Sequence, residues 1–162
     1  MSDAVVVDTN VAVVANLQHE KAGPDCILAS IGALSRARGQ VVLVDDGQFV
    51  FNEYRGQLSH SGQPGLGDAF FKWLWDNQAN PERCRQISIT PLDDSGTEFA
   101  EFPNDNDLLK FDRADRKFVA VALASGIKPT VLNSSDTDWW LFREALERNG
   151  LVLEFLCPEL MR

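Results

Sequence analysis

Short apolar runs alternate along this chain with longer segments in which apolar positions recur every three or four residues. The short runs predict strands, four of them continuous and one alternating, over 4–7, 41–44, 85–90, 130–132 and 151–156. The longer periodicity predicts helices, over 10–17, 26–38, 46–58, 68–77, 112–125 and 137–149. Because strands and helices alternate, we predict one α/β domain over 1–162, a three-layer α/β/α sandwich with a mainly parallel central sheet.

Four acidic residues occupy positions that such a sheet would bring together. Asp8 and Asp136 closely follow predicted strands, whereas Glu53 and Asp115 lie in predicted helices. The carboxyl ends of parallel strands line one crevice, where ligands bind. Carboxylates gathered there repel one another and lose hydration unless a cation compensates them. Oxygen-only ligands suit Mg²⁺ or Mn²⁺, so the sequence predicts a catalytic metal site that hydrolyses phosphodiesters.

Each of these acids also has a structural alternative. Asp8 or the adjacent Thr9 can cap the helix that follows. Glu53 shares a helical face with Phe49, so its carboxylate points toward apolar packing and needs a partner. That partner is either a metal or, in the structural alternative, Arg55 or a backbone group. These alternatives stay open at the level of the residues alone.

The acid pairs near the last two predicted helices divide in the same way. Asp115 lies on the apolar stripe of its helix, which favours a ligand role, while Asp112 is the natural N-cap of that helix, with a role as a metal ligand or a supporting residue as the alternative. Asp136 is favoured as the more direct ligand because it lies nearer the strand end. Asp138 is then a cap or an additional metal ligand.

Four segments in this order resemble the motifs of PIN-domain nucleases, namely VVVDTN, NEYRG, DRKFVAVALASG and VLNSSDTDWW. The resemblance implies a parallel α/β/α fold and an Mg²⁺- or Mn²⁺-dependent ribonuclease. It puts the family's four acids on Asp8, Glu53, Asp115 and Asp136, its small hydroxyl residue on Thr9, and a frequent fifth acid on Asp138. We expect Asn10 and Asp112 to support the ligands. Two segments, 59–67 and 91–108, make the chain longer than a compact toxin of this family, and many relatives carry a threonine near the Val-Leu-Asn that precedes the fourth acid.

The expected function is therefore cleavage of RNA, single-stranded RNA in the first place, by a four-carboxylate metal site. Because the family includes toxins of toxin–antitoxin pairs, the resemblance also implies an antitoxin or other protein partner, and a homodimer. The alternative is a noncatalytic PIN-like module that binds nucleic acid or protein. The chain lacks the GxGxxG and GxxxxGK[ST] patterns of nucleotide-binding domains.

Composition narrows these expectations only slightly. The net charge of −9 argues against broad nonspecific nucleic-acid binding, although acids that bind metal account for part of it. Three distant cysteines predict reduced, mostly buried thiols, and two histidines, His19 and His60, are expected at the surface. Asp3 stands where a signal peptide would carry positive charge, and no apolar run is long enough to span a membrane, so we expect a cytoplasmic chain.

The aromatic run at 70–75 is expected to be core or an interface, with base stacking as the alternative.

Overall fold

The computed structural model describes residues 3–161 of the chain. A five-stranded sheet in the order β3-β2-β1-β4-β5 forms its centre, and every neighbouring pair of strands is parallel. The strands are β1 (Ala4–Val7), β2 (Val41–Asp45), β3 (Cys84–Ile87), β4 (Thr130–Asn133) and β5 (Val152–Phe155). The helices are α1 (Thr9–Ala15), α2 (Pro24–Ala37), α3 (Phe49–Gln57), α4 (Leu66–Asp76), α5 (Arg116–Ser125), α6 (Thr137–Leu141) and α7 (Arg143–Arg148). Within residues 3–161, no helix has the length and apolar character that crossing a membrane requires.

The helices cover both faces of the sheet. Helices α1, α2 and α4 contact one another, whereas α5 contacts β1, β2 and β3, and α7 contacts β5. Right-handed crossovers place these two sets on opposite faces, since the chain moves across the sheet in one direction before β3 and in the other after it. The predicted three-layer α/β/α sandwich is confirmed, and its sheet is entirely parallel.

The strand order creates a crevice beside β1. The chain passes from β1 to β2 and β3 on one side, then returns to β4 on the other side. Connections therefore diverge from the carboxyl ends of β1 and β4, which is the position where open parallel sheets bind ligands. The β-branched strand Ala4–Val7 is buried along its whole length, so the residue that follows it is held firmly at this edge.

Beyond shifts of a few residues at the ends of elements, two predicted elements differ from the observed ones. The strand predicted over 85–90 ends at Ile87, because its ladder partner on β2 is Asp45, the last residue of that strand. The single helix predicted over 137–149 is broken at Phe142, whose ring packs edge-on against Phe111 at 5.7 Å between ring centroids. Both differences arise from contacts that local periodicity does not encode.

The aromatic helix α4 contributes to the core, as predicted. Phe70 and Phe71 are fully buried, while Trp73 and Trp75 are half-buried and pack against the core. Guanidinium groups of Arg38 and Arg55 lie over the two tryptophan rings, at 5.6 and 5.1 Å from the ring centroids. The prediction of a core helix is confirmed.

A disulfide joins two of the three cysteines. Cys26 at the start of α2 is bonded to Cys157 after β5, across 131 residues of sequence, and Cys84 is a buried free thiol. The prediction of reduced thiols is therefore wrong for the first two and confirmed for the third. The folded chain brings together residues whose sequence positions gave no sign of pairing. Because such bonds persist mainly in oxidising compartments, cytoplasmic localisation stays a prediction.

Candidate metal centre

Three carboxylates meet at the crevice between β1 and β4. Asp8 directly follows β1, Asp136 lies in the turn after β4, and Asp115 ends a short 3-10 turn before α5. One oxygen from each lies within 4.8 Å of the other two. Oxygens on one octahedral Mg²⁺ ion are about 3 Å apart when adjacent and about 4 Å apart when opposite, so the three carboxylates would have to draw closer together to hold one ion. The structure thus brings together three of the four predicted acids.

Asp8 serves as a helix cap with one oxygen and leaves the other one free. Its backbone N–H donates to the Leu132 carbonyl at 3.1 Å, which fixes it beside β4. Its Oδ1 accepts a hydrogen bond from the Asn10 N–H at 3.2 Å at the start of α1. Its Oδ2 is buried without any hydrogen-bond partner. The cap and the ligand roles considered for Asp8 are therefore compatible, because they use different oxygens.

Asp115 and Asp136 are held by similar short turns. Asp112 caps the turn that carries Asp115, since its Oδ1 accepts from the Ala114 N–H at 3.0 Å. The Oδ2 of Asp115 is buried and unpaired. Asp136 caps α6 by accepting from the Asp138 N–H at 2.9 Å, and its side chain is half-buried. All three acids thus lie at helix starts, where the backbone dipole favours negative charge.

The electrostatics of the cluster are unfavourable in the absence of a cation. Burial, followed by the charges of Glu53 and Asp136, raises the pKa of Asp8 to about 8. Burial and the neighbouring Asp8 and Asp136 carboxyls raise the pKa of Asp115 still further. Raised carboxyl pKa values indicate that acidic groups lie close together where they are buried from solvent. A bound divalent ion would lower these pKa values again. The all-oxygen donor set with unpaired buried atoms fits Mg²⁺ or Mn²⁺.

Glu53 lies beside this cluster with partners of its own. Its Oε1 is 2.8 Å from the Lys117 ammonium nitrogen, and its Oε2 accepts a hydrogen bond from the Thr9 hydroxyl. Arg55, the alternative partner considered from the sequence, instead donates to Asn52 at 2.9 Å. The basic partner of Glu53 is therefore Lys117 and not Arg55.

Tyr54 positions α3, the helix that carries Glu53. The buried Tyr54 hydroxyl donates a hydrogen bond to the carbonyl of Val7, the last residue of β1. Burial and the nearby acids, Asp8 first, raise the pKa of this hydroxyl well above its usual range, so it remains a donor. Sequence reasoning did not select Tyr54, because a buried aromatic residue beside an acid is ordinary core.

The two other predicted acids, Asp112 and Asp138, form a hydrogen bond with each other. The Asp112 N–H donates to Asp138 Oδ2 at 2.8 Å, which ties the turn before α5 to the start of α6. Among residues 3–161, Asp138 does not belong to the group of acids whose oxygens converge. The metal role of Asp138 remains a prediction without support from this geometry.

Asn10 and Asn133 shape the loop that carries Asp136. The Asn10 side-chain oxygen accepts from the backbone N–H groups of Ser134 and Ser135, at 2.7 and 3.2 Å. The Asn133 side-chain oxygen accepts from the Asp136 N–H at 3.3 Å. The predicted supporting role of Asn10 thus takes the form of a link between α1 and the β4–α6 turn.

An open cleft of about 280 Å³ gives access to the carboxylates. Apart from the acids and the two residues after Asp8, its lining includes Val13, His19, Gln57 and Ser135. His19 was expected at the surface but is half-buried in this wall. A lone histidine carries no sequence signal for such a position. One further group, Cys26, Cys157 and Glu159, has donor atoms close together, but its two sulfurs are bonded to each other.

Comparison with known proteins gives no match to a family model, to a curated protein or to a solved structure. The similarity to PIN-domain nucleases therefore rests on the four sequence motifs. It stays a prediction, and the geometry of the carboxylates carries the functional argument.

Proposed function

We propose that this chain is an Mg²⁺- or Mn²⁺-dependent nuclease of the PIN type, which hydrolyses phosphodiester bonds of single-stranded RNA. The observation that carries the proposal is the pair of unpaired, buried carboxylate oxygens on Asp8 and Asp115, within a group that also includes Asp136. A buried charged group without a partner is costly. Two in one cleft support the presence of a cation in the working protein.

The residues of the site divide the work between holding an ion and shaping the cleft. Asp8, Asp115 and Asp136 would hold the metal, which would lower the pKa of a water molecule and stabilise charge on the reacting phosphate. Asn10 keeps the Asp136 loop against α1. Thr9 and Lys117 keep Glu53 at the cleft wall.

The substrate class follows from charge and access. The cleft is open to solvent and lies on a chain of net charge −9, so a polyanion would be repelled unless the site carried a cation. A phosphodiester in a flexible single strand can enter such a cleft more readily than one in a duplex. RNA, rather than DNA, is proposed from the motif resemblance, as are an antitoxin-like protein partner and a homodimer.

Calorimetric titration of Mn²⁺ into metal-free protein is the first test. We expect binding by the parent and a large loss of affinity in Asp115→Asn, with Asp93→Asn as a matched control in an exposed turn. Cleavage of single-stranded RNA and of DNA of the same sequence is then compared with and without Mn²⁺. Binding without cleavage of either would favour the noncatalytic module, and absence of binding would contradict the proposed metal site.

A further inference from the structure

A lysine ammonium group already occupies part of this acidic site. The Lys117 side chain is 9% exposed, and its nitrogen lies 2.8 Å from Glu53 Oε1. The same nitrogen also donates to the Ala114 carbonyl, in the turn that carries Asp115. A buried ammonium held by a carboxylate and a carbonyl is a fixed positive charge rather than a surface lysine.

Glu53 is therefore engaged at both of its oxygens. Lys117 contacts Oε1, and the Thr9 hydroxyl donates to Oε2. By contrast, Asp8 and Asp115 each keep one buried oxygen that has no partner. In the part of the chain that the structure describes, the converging oxygens belong to Asp8, Asp115 and Asp136, and Glu53 is not among them. The four predicted ligands thus fall into a group of three and a neutralised fourth.

A second divalent ion beside Glu53 would meet Lys117 at close range. Because the Lys117 side chain is only 9% exposed, solvent would screen the repulsion between the two positive charges only weakly. Displacing the ammonium from Glu53 would leave a desolvated cation without its partner, which is the costly way to break a buried ion pair. The charge balance of the cleft therefore favours one added dication over two.

We infer that the site holds a single divalent ion on Asp8, Asp115 and Asp136, and that the Lys117 ammonium takes the place of a second ion beside Glu53. This inference rests on the proposed function, since it concerns the same metal site. Lys117 is then a positioning residue that keeps Glu53 away from the ion. Its loss should free Glu53 and open a second, weaker ion site.

The number of bound ions tests this inference without reference to activity. Mn²⁺ titration calorimetry, together with the electron paramagnetic resonance spectrum of coupled Mn²⁺ pairs, is applied to the parent, Lys117→Met and Lys117→Arg. We expect one ion in the parent and in Lys117→Arg, and two in Lys117→Met. Lys72→Met is the matched control, because Lys72 forms an exposed ion pair with Asp76 and should leave the count at one.

A double variant checks that Glu53 provides the second site. Adding Glu53→Gln to Lys117→Met should return the count to one, with the affinity of the first ion changed less than about threefold. Two ions in the parent, or one ion in a folded Lys117→Met, would overturn the inference. If Lys117→Met does not fold, Lys117→Gln replaces it, and the count in the parent still decides. No ion in the parent would instead contradict the proposed function itself.

Discussion

The carboxyl ends of β1 and β2 present the same residue type in opposite states. Asp45 ends β2 and is fully buried, but it accepts hydrogen bonds from the N–H groups of Gly47, Phe49 and Val50, at 2.8 to 2.9 Å. Asp8 follows β1, is 3% exposed, and has one oxygen with no partner. Burial and position on the sheet therefore do not distinguish Asp45 from Asp8, the proposed metal ligand, whereas the number of unfilled acceptor sites does.

The comparison also explains why the fold tolerates the site. Three backbone donors supply what the Asp45 charge needs, so this acid stabilises the start of α3. Asp8 and Asp115 receive fewer hydrogen bonds, and burial together with the charges of neighbouring carboxyls raises their pKa values. Confining such groups costs stability in the absence of a cation, which supports the proposed metal site.

The largest expected effect separates Asp115 from Asp45 in catalysis. Asp115→Asn removes a charge from the converging group and should reduce Mn²⁺-dependent RNA cleavage by more than about 100-fold, since loss of an outer-shell partner alone costs about 10- to 100-fold. Asp45→Asn should retain activity within a few-fold at a temperature where it remains folded. Single-turnover cleavage rates measure both. Equal losses in the two variants would break the comparison.

The second effect is on stability and runs in the opposite direction. Asp45→Asn replaces an acceptor with a donor that faces backbone N–H groups, and we expect it to lower the free energy of unfolding by about 2–3 kcal/mol. Asp8→Asn should leave it unchanged or raise it in metal-free buffer, because repulsion within the cluster is relieved. Urea denaturation in the presence of a chelator compares them. A large destabilisation by Asp8→Asn would mean that its charge is structural.

The third effect is a pH dependence to which the carboxylates of the cluster contribute. Above about pH 4 the unfolded chain has released carboxyl protons that folded Asp8 still holds, because its pKa is raised to about 8. This contribution to stability is present at low pH and is lost as the pH rises towards 8, by up to about 1.4 kcal/mol per pH unit for each such carboxyl. Denaturation of metal-free protein at pH 5 and pH 8 should show this fall. Asp8→Asn should show a smaller one, and identical slopes would contradict the assignment.

The smallest effect separates a supporting residue from an ion-holding one. Thr9→Val removes the hydroxyl that donates to Glu53 while keeping the shape of the side chain, and should cost about 1 kcal/mol of stability. Its Mn²⁺ affinity should change less than that of Asp8→Asn, since Thr9 lies outside the converging oxygens. Denaturation and calorimetry on the same samples give both values. A loss of Mn²⁺ affinity as large as that of Asp8→Asn would place Glu53 on the ion.

The sequence was a good guide wherever local pattern decides the structure. The β-branched runs located β1 and β4, and the order of elements predicted the layers. The prediction that Asp8 and Asp136 would meet follows from strand-end geometry, and Asp115 was favoured because it lies on the apolar stripe of a predicted helix. These inferences need only periodicity and the direction of parallel strands.

What the sequence missed depends on side chains that meet across long separations. Lys117 lies far along the chain from Glu53, whereas Arg55 is two residues away and looked like the obvious partner. The pairing of Cys26 with Cys157 and the packing of Phe142 on Phe111 are equally nonlocal. Each of these pairings depends on how the elements pack in the folded core, which local sequence does not specify.

The disulfide has a consequence for a chain that is cut. Residues 26 to 157 form a covalent ring that includes β2 to β5, while β1 and Asp8 lie in the segment that precedes Cys26. A protease that cleaves the exposed turn near Asp93 would open the ring without separating its two arcs. The nicked protein would therefore migrate as one band on a non-reducing gel and as two bands after reduction. The fragments would remain tethered to the sheet that positions the carboxylates.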